Sequence, residues 1–137
     1  MLKAAVVNHS EPLLRAVHEE WRRAAETGAW LALAMVHADQ FDPRLFVALR
    51  WALPRSCDIL VRTGDTAFSV IFPHTKFAGA KRVMDRFTAI AAALELEENK
   101  KPLTISVGVS AFIAAGDNSM YLLLDDAHDA LEQAKAQ

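Results

Sequence analysis

Cysteine is almost missing: the chain of 137 residues has one, Cys57. A single thiol excludes an internal disulfide and cannot supply a cysteine-rich metal site, so Cys57 reads as a small residue at the start of a strand. Long apolar runs are missing too. The longest, Ala29 to Val36, falls far short of the ~20 residues of a membrane span. The N-terminus also lacks a basic flank followed by an apolar run, so the expectation is a cytoplasmic protein with no membrane insertion. An excess of charge of either sign is absent: the formal net charge is −2, which gives no field for nucleic acid, so an anionic ligand must be met by a local cluster. No low-complexity tract, internal repeat or interdomain linker interrupts the chain.

What is present suits one domain over residues 1–137. Hydrophobic residues make up 53% and charged residues 23%, ordinary globular values. A domain of this size buries roughly 65–70% of the surface its unfolded chain exposes, enough for a real core.

Apolar Leu13, Leu14, Val17, Trp21 and Ala25 recur near the helical period, with Ser10 as N-cap, Pro12 in the first turn and Gly28 as the left-handed stop. Leu31 to Val36 is nearly continuous apolar sequence, as in a strand buried on both faces. Pro43 opens a helix carrying Leu45, Phe46, Leu49, Ala52 and Leu53, and Pro54 ends it. Ile59 to Arg62 and Ala67 to Phe72 are β-rich runs around the turn Thr63-Gly64-Asp65-Thr66, hence a hairpin. A helix from Lys76 to Ala93 is expected to turn Phe77, Ala80, Val83, Met84, Phe87 and Ile90 inward, ahead of a polar loop from Glu95 to Lys101. Leu103 to Phe112 alternates like a strand, and Tyr121 to Ala136 reads as a closing helix. This order implies an α+β sandwich with a βαββαβ core, its central sheet mostly antiparallel and flanked by helices. Such a topology serves unrelated functions, so function must come from sites.

Four segments, in order, resemble the GGDEF (diguanylate cyclase) family. Trp30-Leu-Ala-Leu-Ala-Met-Val-His37-Ala-Asp39-Gln-Phe41 resembles its first strand, which normally ends Asp-x-Asp-x-Phe. Arg62 to Pro73 resembles the signature hairpin, and Leu103-Thr-Ile-Ser-Val-Gly-Val-Ser110 its late strand. Asp126-Ala-His-Asp-Ala-Leu-Glu-Gln-Ala-Lys135 is similar to its terminal helix. Members of that family join two GTP molecules, a chemistry that needs carboxylates holding divalent metal against the phosphates. Against that pattern this chain departs. His37 stands where the first metal-binding aspartate belongs, and the Gly-Gly-Asp/Glu-Glu-Phe motif reads Gly64-Asp65-Thr66-Ala67-Phe68. The chain between Phe41 and Arg55 is shorter than the family pattern by about a dozen residues, the stretch that reads the substrate guanine, where typical connections are ~4–6 residues. Lys135 is similar to a phosphate-contacting lysine, but the family's following Gly-Arg-Asn is not present. Asn8 matches only part of the N-terminal signature. The expectation is a shortened, degenerate domain that is not an enzyme, with no catalytic residues, no metal and no cofactor.

The resemblance also implies a site that has kept its residues. Arg55-Ser-Cys-Asp58 matches the Arg-x-x-Asp of the family's product-inhibition site for cyclic di-GMP. A guanidinium donates to guanine O6 and N7, and a carboxylate accepts from N1–H and N2–H, so the pair suits one guanine. Arg86 occupies the place of a third arginine that the family recruits from the helix after the hairpin. Arg82 one turn before it, with Arg62, Arg50 and Lys81, adds positive charge or a stacking surface. The expected ligand set is therefore Arg55, Asp58, Arg86, Arg82 and Arg62.

Blander readings stand beside these. Arg55 and Asp58 also suit a helix-end ion pair worth under ~1 kcal/mol. His37 suits a structural histidine better than a metal ligand, Asp65 suits turn chemistry, and Trp21, Trp30 and Trp51 suit packing. Two functions compete: a cyclic di-GMP receptor that regulates a protein partner, or a ligand-independent interaction module. A ligand bridging two protomers would favour a ligand-linked homodimer by mass action.

Overall fold

The structure is a computed structural model that describes residues 9–94, 101–115 and 118–137. Its elements are α1 (Glu11–Thr27), β1 (Trp30–Ala38), α2 (Pro43–Ala52), β2 (Ile59–Arg62), β3 (Ala67–Pro73), α3 (Phe77–Ala93), β4 (Ile105–Ile113) and α4 (Met120–Lys135). Asn8 and most of the polar loop Glu95 to Lys101 lie outside the described residues. Local chemistry sets the boundaries. The Ser10 hydroxyl accepts from the Leu13 N–H, and Gly28 closes α1 at φ 65°, a conformation that costs a residue with a Cβ. Asp42 caps α2 by accepting from the Arg44 N–H at 2.9 Å.

The four strands lie in the order β2-β3-β1-β4 and every neighbouring pair is antiparallel. Because β1 is central and apolar on both faces, the sheet supports two cores. Ala32, Ala34 and Val36 face α2 and α3 with Leu45, Leu49, Phe72, Met84 and Phe87. Leu31, Leu33 and Met35 face α1 and α4 with Leu13, Val17, Leu123 and Leu124. At Gly108 α4 meets the sheet so closely that a Cβ there would lie 2.2 Å from the Leu131 nitrogen. No helix among the described residues is long and apolar enough to cross a membrane.

Several expected inward residues turn out otherwise. α3 buries Ala80, Val83, Met84, Phe87 and Ala91, a stripe that leaves Phe77 and Ile90 at its margins and exposed. α2 buries only Leu45 and Leu49, so Trp51, expected to pack, is 85% exposed. In α1 the buried stripe continues through Glu20 and Ala24 rather than Ala25, with Glu20 accepting from Arg23 at 3.2 Å.

Candidate functional site

Pro54 ends α2, and the next residues form a turn in which the Asp58 N–H donates to the Arg55 carbonyl at 3.3 Å. That turn brings the two side chains together at the start of β2. Arg55 Nη2 donates to Asp58 Oδ1 at 2.7 Å, to the Pro73 carbonyl at 2.7 Å, and to the Thr75 hydroxyl. The Thr75 hydroxyl in turn donates to the Pro73 carbonyl at 2.8 Å. One guanidinium nitrogen thus ties the α2–β2 turn to the end of β3 and the approach to α3. The clamp spans His74, held at φ 51°, a left-handed conformation uncommon outside glycine.

The Asp58 side chain is 0% exposed while that of Arg55 is 38% exposed. Asp58 Oδ2 is buried and has no hydrogen-bond partner among the described residues. An orphaned buried acceptor costs about 1–3 kcal/mol, more when it belongs to a charged group. Arg55 for its part uses only Nη2 among the described residues, leaving Nε and Nη1 as donors. An unfilled acceptor therefore sits beside unfilled donors.

The other candidate arginines make no hydrogen bond to this pair among the described residues. Arg82 and Arg86 are exposed on α3 and have no ion pair or hydrogen bond among the described residues. At 1.5 Å per residue they lie about 8 and 14 Å along the helix from its start, where Arg55 docks. Neither is hydrogen-bonded or ion-paired to Arg55 or Asp58 among the described residues. Lys81 is paired with Asp85 at 2.6 Å, and Arg50 is exposed in the last turn of α2. Arg62 is placed at the opposite end of the hairpin: Arg62 pairs with Phe68 whereas Ile59 pairs with Ile71. There Arg62 Nε donates to the Gly64 carbonyl at 3.1 Å and its guanidinium lies 5.5 Å from the Phe41 ring centre. Arg62 braces the turn rather than the Arg55 pair.

A second cleft, of about 480 Å³, opens at the end of β1 and is lined by His37, Asp39, Thr104, Ser106 and Lys135 among others. His37 Nε2 lies 3.4 Å from the Thr66 hydroxyl, and Asp39 Oδ2 accepts from the Thr104 hydroxyl at 2.7 Å. Lys135 Nζ lies 3.6 Å from Glu132. Asp65 is almost fully exposed at the turn. Among the described residues no group of three or more His, Cys, Asp or Glu is arranged to hold a metal ion. Thr104 and Ser106, like Pro73 and Thr75 at the first site, carry no sequence signal of their role, because each depends on contacts between distant segments.

The profile of "Diguanylate cyclase, GGDEF domain" matches residues 48–137. Comparison with curated proteins gives no match. Among solved structures, the active GGEEF domain of a diguanylate cyclase from Vibrio cholerae is 16% identical, with TM-score 0.81, covering 96% of this chain and 92% of that one. The GGDEF domain of DgcB from Caulobacter crescentus, in complex with c-di-GMP, is 15% identical with TM-score 0.73, covering 99% of this chain and 94% of that one. The diguanylate cyclase SiaD from Pseudomonas aeruginosa, in complex with its activator SiaC, is 24% identical with TM-score 0.76 over 95% of this chain. The chain spans 55% of the SiaD chain. With a profile match over well more than half its length and this fold, the chain belongs to the GGDEF family.

Proposed function

We propose that this GGDEF domain is a catalytically inactive receptor for cyclic di-GMP, which it binds through Arg55 and Asp58 and which controls its docking to a protein partner. The observation that carries the reading is the Asp58 carboxylate. It is wholly buried, with one oxygen on Arg55 and the other lacking a donor among the described residues. Guanine N1–H and N2–H are the donors that Oδ2 lacks, and O6 and N7 are acceptors for the free edge of Arg55. The flanking Ser56 and Cys57 are exposed, and the reading requires this turn to move for the base to reach the buried carboxylate. Arg82 and Arg86, unpaired on α3, supply charge for the phosphates if the ligand extends along that helix. DgcB, a relative of the same fold, is bound to c-di-GMP in its structure, and SiaD is bound to a protein activator.

Loss of catalysis follows from donor chemistry. Magnesium at a triphosphate favours several hard, charged oxygens. His37, Thr66 and Ala67 offer an imidazole, a neutral hydroxyl and nothing, and Asp39 is already engaged by Thr104. These residues do not fit the family's metal, and no reaction step is assigned to them. Purified protein with GTP and magnesium is expected to make no cyclic di-GMP; detection of product by mass spectrometry would overturn this part.

A ligand-independent interaction module is the second reading. It is favoured by the clamp itself, since Arg55 Nη2 is already engaged by Pro73 and Thr75 within the chain. That reading predicts no change in melting temperature with any cyclic dinucleotide, whereas the receptor reading predicts a rise with cyclic di-GMP.

A further inference from the structure

We propose that the solvent face of α2 docks one amphipathic helix of a protein partner, apolar along its centre and acidic at its flanks. α2 is held against the core by Leu45 and Leu49, which fixes what its opposite side presents. Pro43, Val47 and Trp51 recur there at every fourth residue, so they stand as one ridge about 12 Å long. All three are exposed, Val47 at 54% and Trp51 at 85%. A tryptophan left in water to that degree is uncommon, because its ring has a large apolar surface to bury. Trp51 belongs to neither core. At protein interfaces, by contrast, tryptophan and arginine are the side chains that carry most of the binding energy.

Charge decides what the partner helix carries. α2 and α3, which pack side by side, hold Arg44, Arg50, Lys81, Arg82 and Arg86 against one acid, Asp85, in a chain whose net charge is −2. Asp85 is taken by Lys81, while Arg50, Arg82 and Arg86 have no ion pair or hydrogen bond among the described residues. Carboxylates on the partner complement this face. The geometry selects a helix as their carrier, since a ridge at i±4 spacing packs into the groove between such ridges on a second helix. Arg44 and Arg50, three residues before and after Val47, stand on the two sides of the ridge. A second copy docked α2 to α2 is disfavoured, because that symmetric contact sets Arg50 against Arg50. A membrane surface needs an apolar arc of about 100° or more. α2 cannot roll to offer one, because its broader apolar side is already in the core. This surface does not depend on the nucleotide reading.

The test is NMR titration of the full chain with a capped helical peptide about eighteen residues long, leucine along one face and glutamate at its flanks. A twin peptide carries lysine in place of glutamate. The acidic peptide is expected to shift the Val47, Arg50 and Trp51 amides and the Trp51 indole N–H saturably, and the lysine twin to bind at least about tenfold more weakly. Trp51→Ala is expected to weaken the acidic peptide about tenfold, and Arg50→Glu to narrow the gap between the two peptides. Both residues are exposed, so melting curves close to that of the wild type are expected for both variants. No saturable shift at millimolar acidic peptide, or binding unchanged by Trp51→Ala, would overturn the proposal. So would shifts of the same amides that grow with protein concentration alone, which assign the face to a second copy, or that need only phosphatidylglycerol vesicles, which assign it to a membrane.

Discussion

Removing the Arg55 side chain tests the physics of the clamp. Arg55→Ala leaves the Asp58 carboxylate buried with neither oxygen hydrogen-bonded. Breaking a fully buried ion pair costs about 3–5 kcal/mol, but Arg55 is 38% exposed, so water entering after truncation cuts that term to roughly half. The Pro73 carbonyl and Thr75 hydroxyl also lose a donor, about 0.5 kcal/mol each once hydrated. The sum is about 2.5–3.5 kcal/mol. Asp58→Ala is different, since it removes an orphaned acceptor together with its pair and leaves Arg55 its other two acceptors. Its cost is expected below about 1 kcal/mol, and the double variant is expected to exceed it by about 1 kcal/mol, the two acceptors that Arg55 no longer serves, giving a coupling energy near 2 kcal/mol. Urea unfolding of the four proteins at constant m-value measures the cycle. Arg55→Ala within about 0.5 kcal/mol of wild type and additive with Asp58→Ala would refute the reasoning.

Gly108→Ala forces a methyl against the α4 backbone at Leu131 and Ala127 and is expected to destabilise by at least 3 kcal/mol, near or beyond the usual ~1–3 kcal/mol for overpacking because the obstacle is main chain; a melting curve checks it. Ser10→Ala removes the cap on the Leu13 N–H and is expected to cost about 1 kcal/mol by urea unfolding. The Arg44 side chain, hydrogen-bonded to Asp42, holds that carboxyl below its usual range. A depressed folded-state value means the Asp42 contribution is present above the unfolded value and is lost as pH falls through the folded one, so NMR titration of Arg44→Ala is expected to move Asp42 upward.

The order of elements was legible because each carries its own period and punctuation. Ser10 and Gly28 bound α1, Pro43 and Pro54 bracket α2, and the apolar run from Leu31 marks the central strand. Side-chain destinations were less so: Phe77, Ile90 and Trp51 satisfy a helical period, yet the width of the buried stripe depends on what packs against it. The turn Arg55 to Asp58 was visible as a motif, whereas its anchors, the Pro73 carbonyl and the Thr75 hydroxyl, lie 18 and 20 residues away along the chain. Arg62 suits added positive charge at the Arg55 pair from sequence alone, but the hairpin register places it at the far end of β2.

Calorimetric titration of cyclic di-GMP into the wild type, Asp58→Ala and Arg86→Ala tests the receptor claim most directly. Saturable binding by the wild type, abolished in a folded Asp58→Ala and weakened in Arg86→Ala, is the predicted result. No heat of binding to the wild type at high micromolar ligand, or binding unchanged by Asp58→Ala, would contradict it.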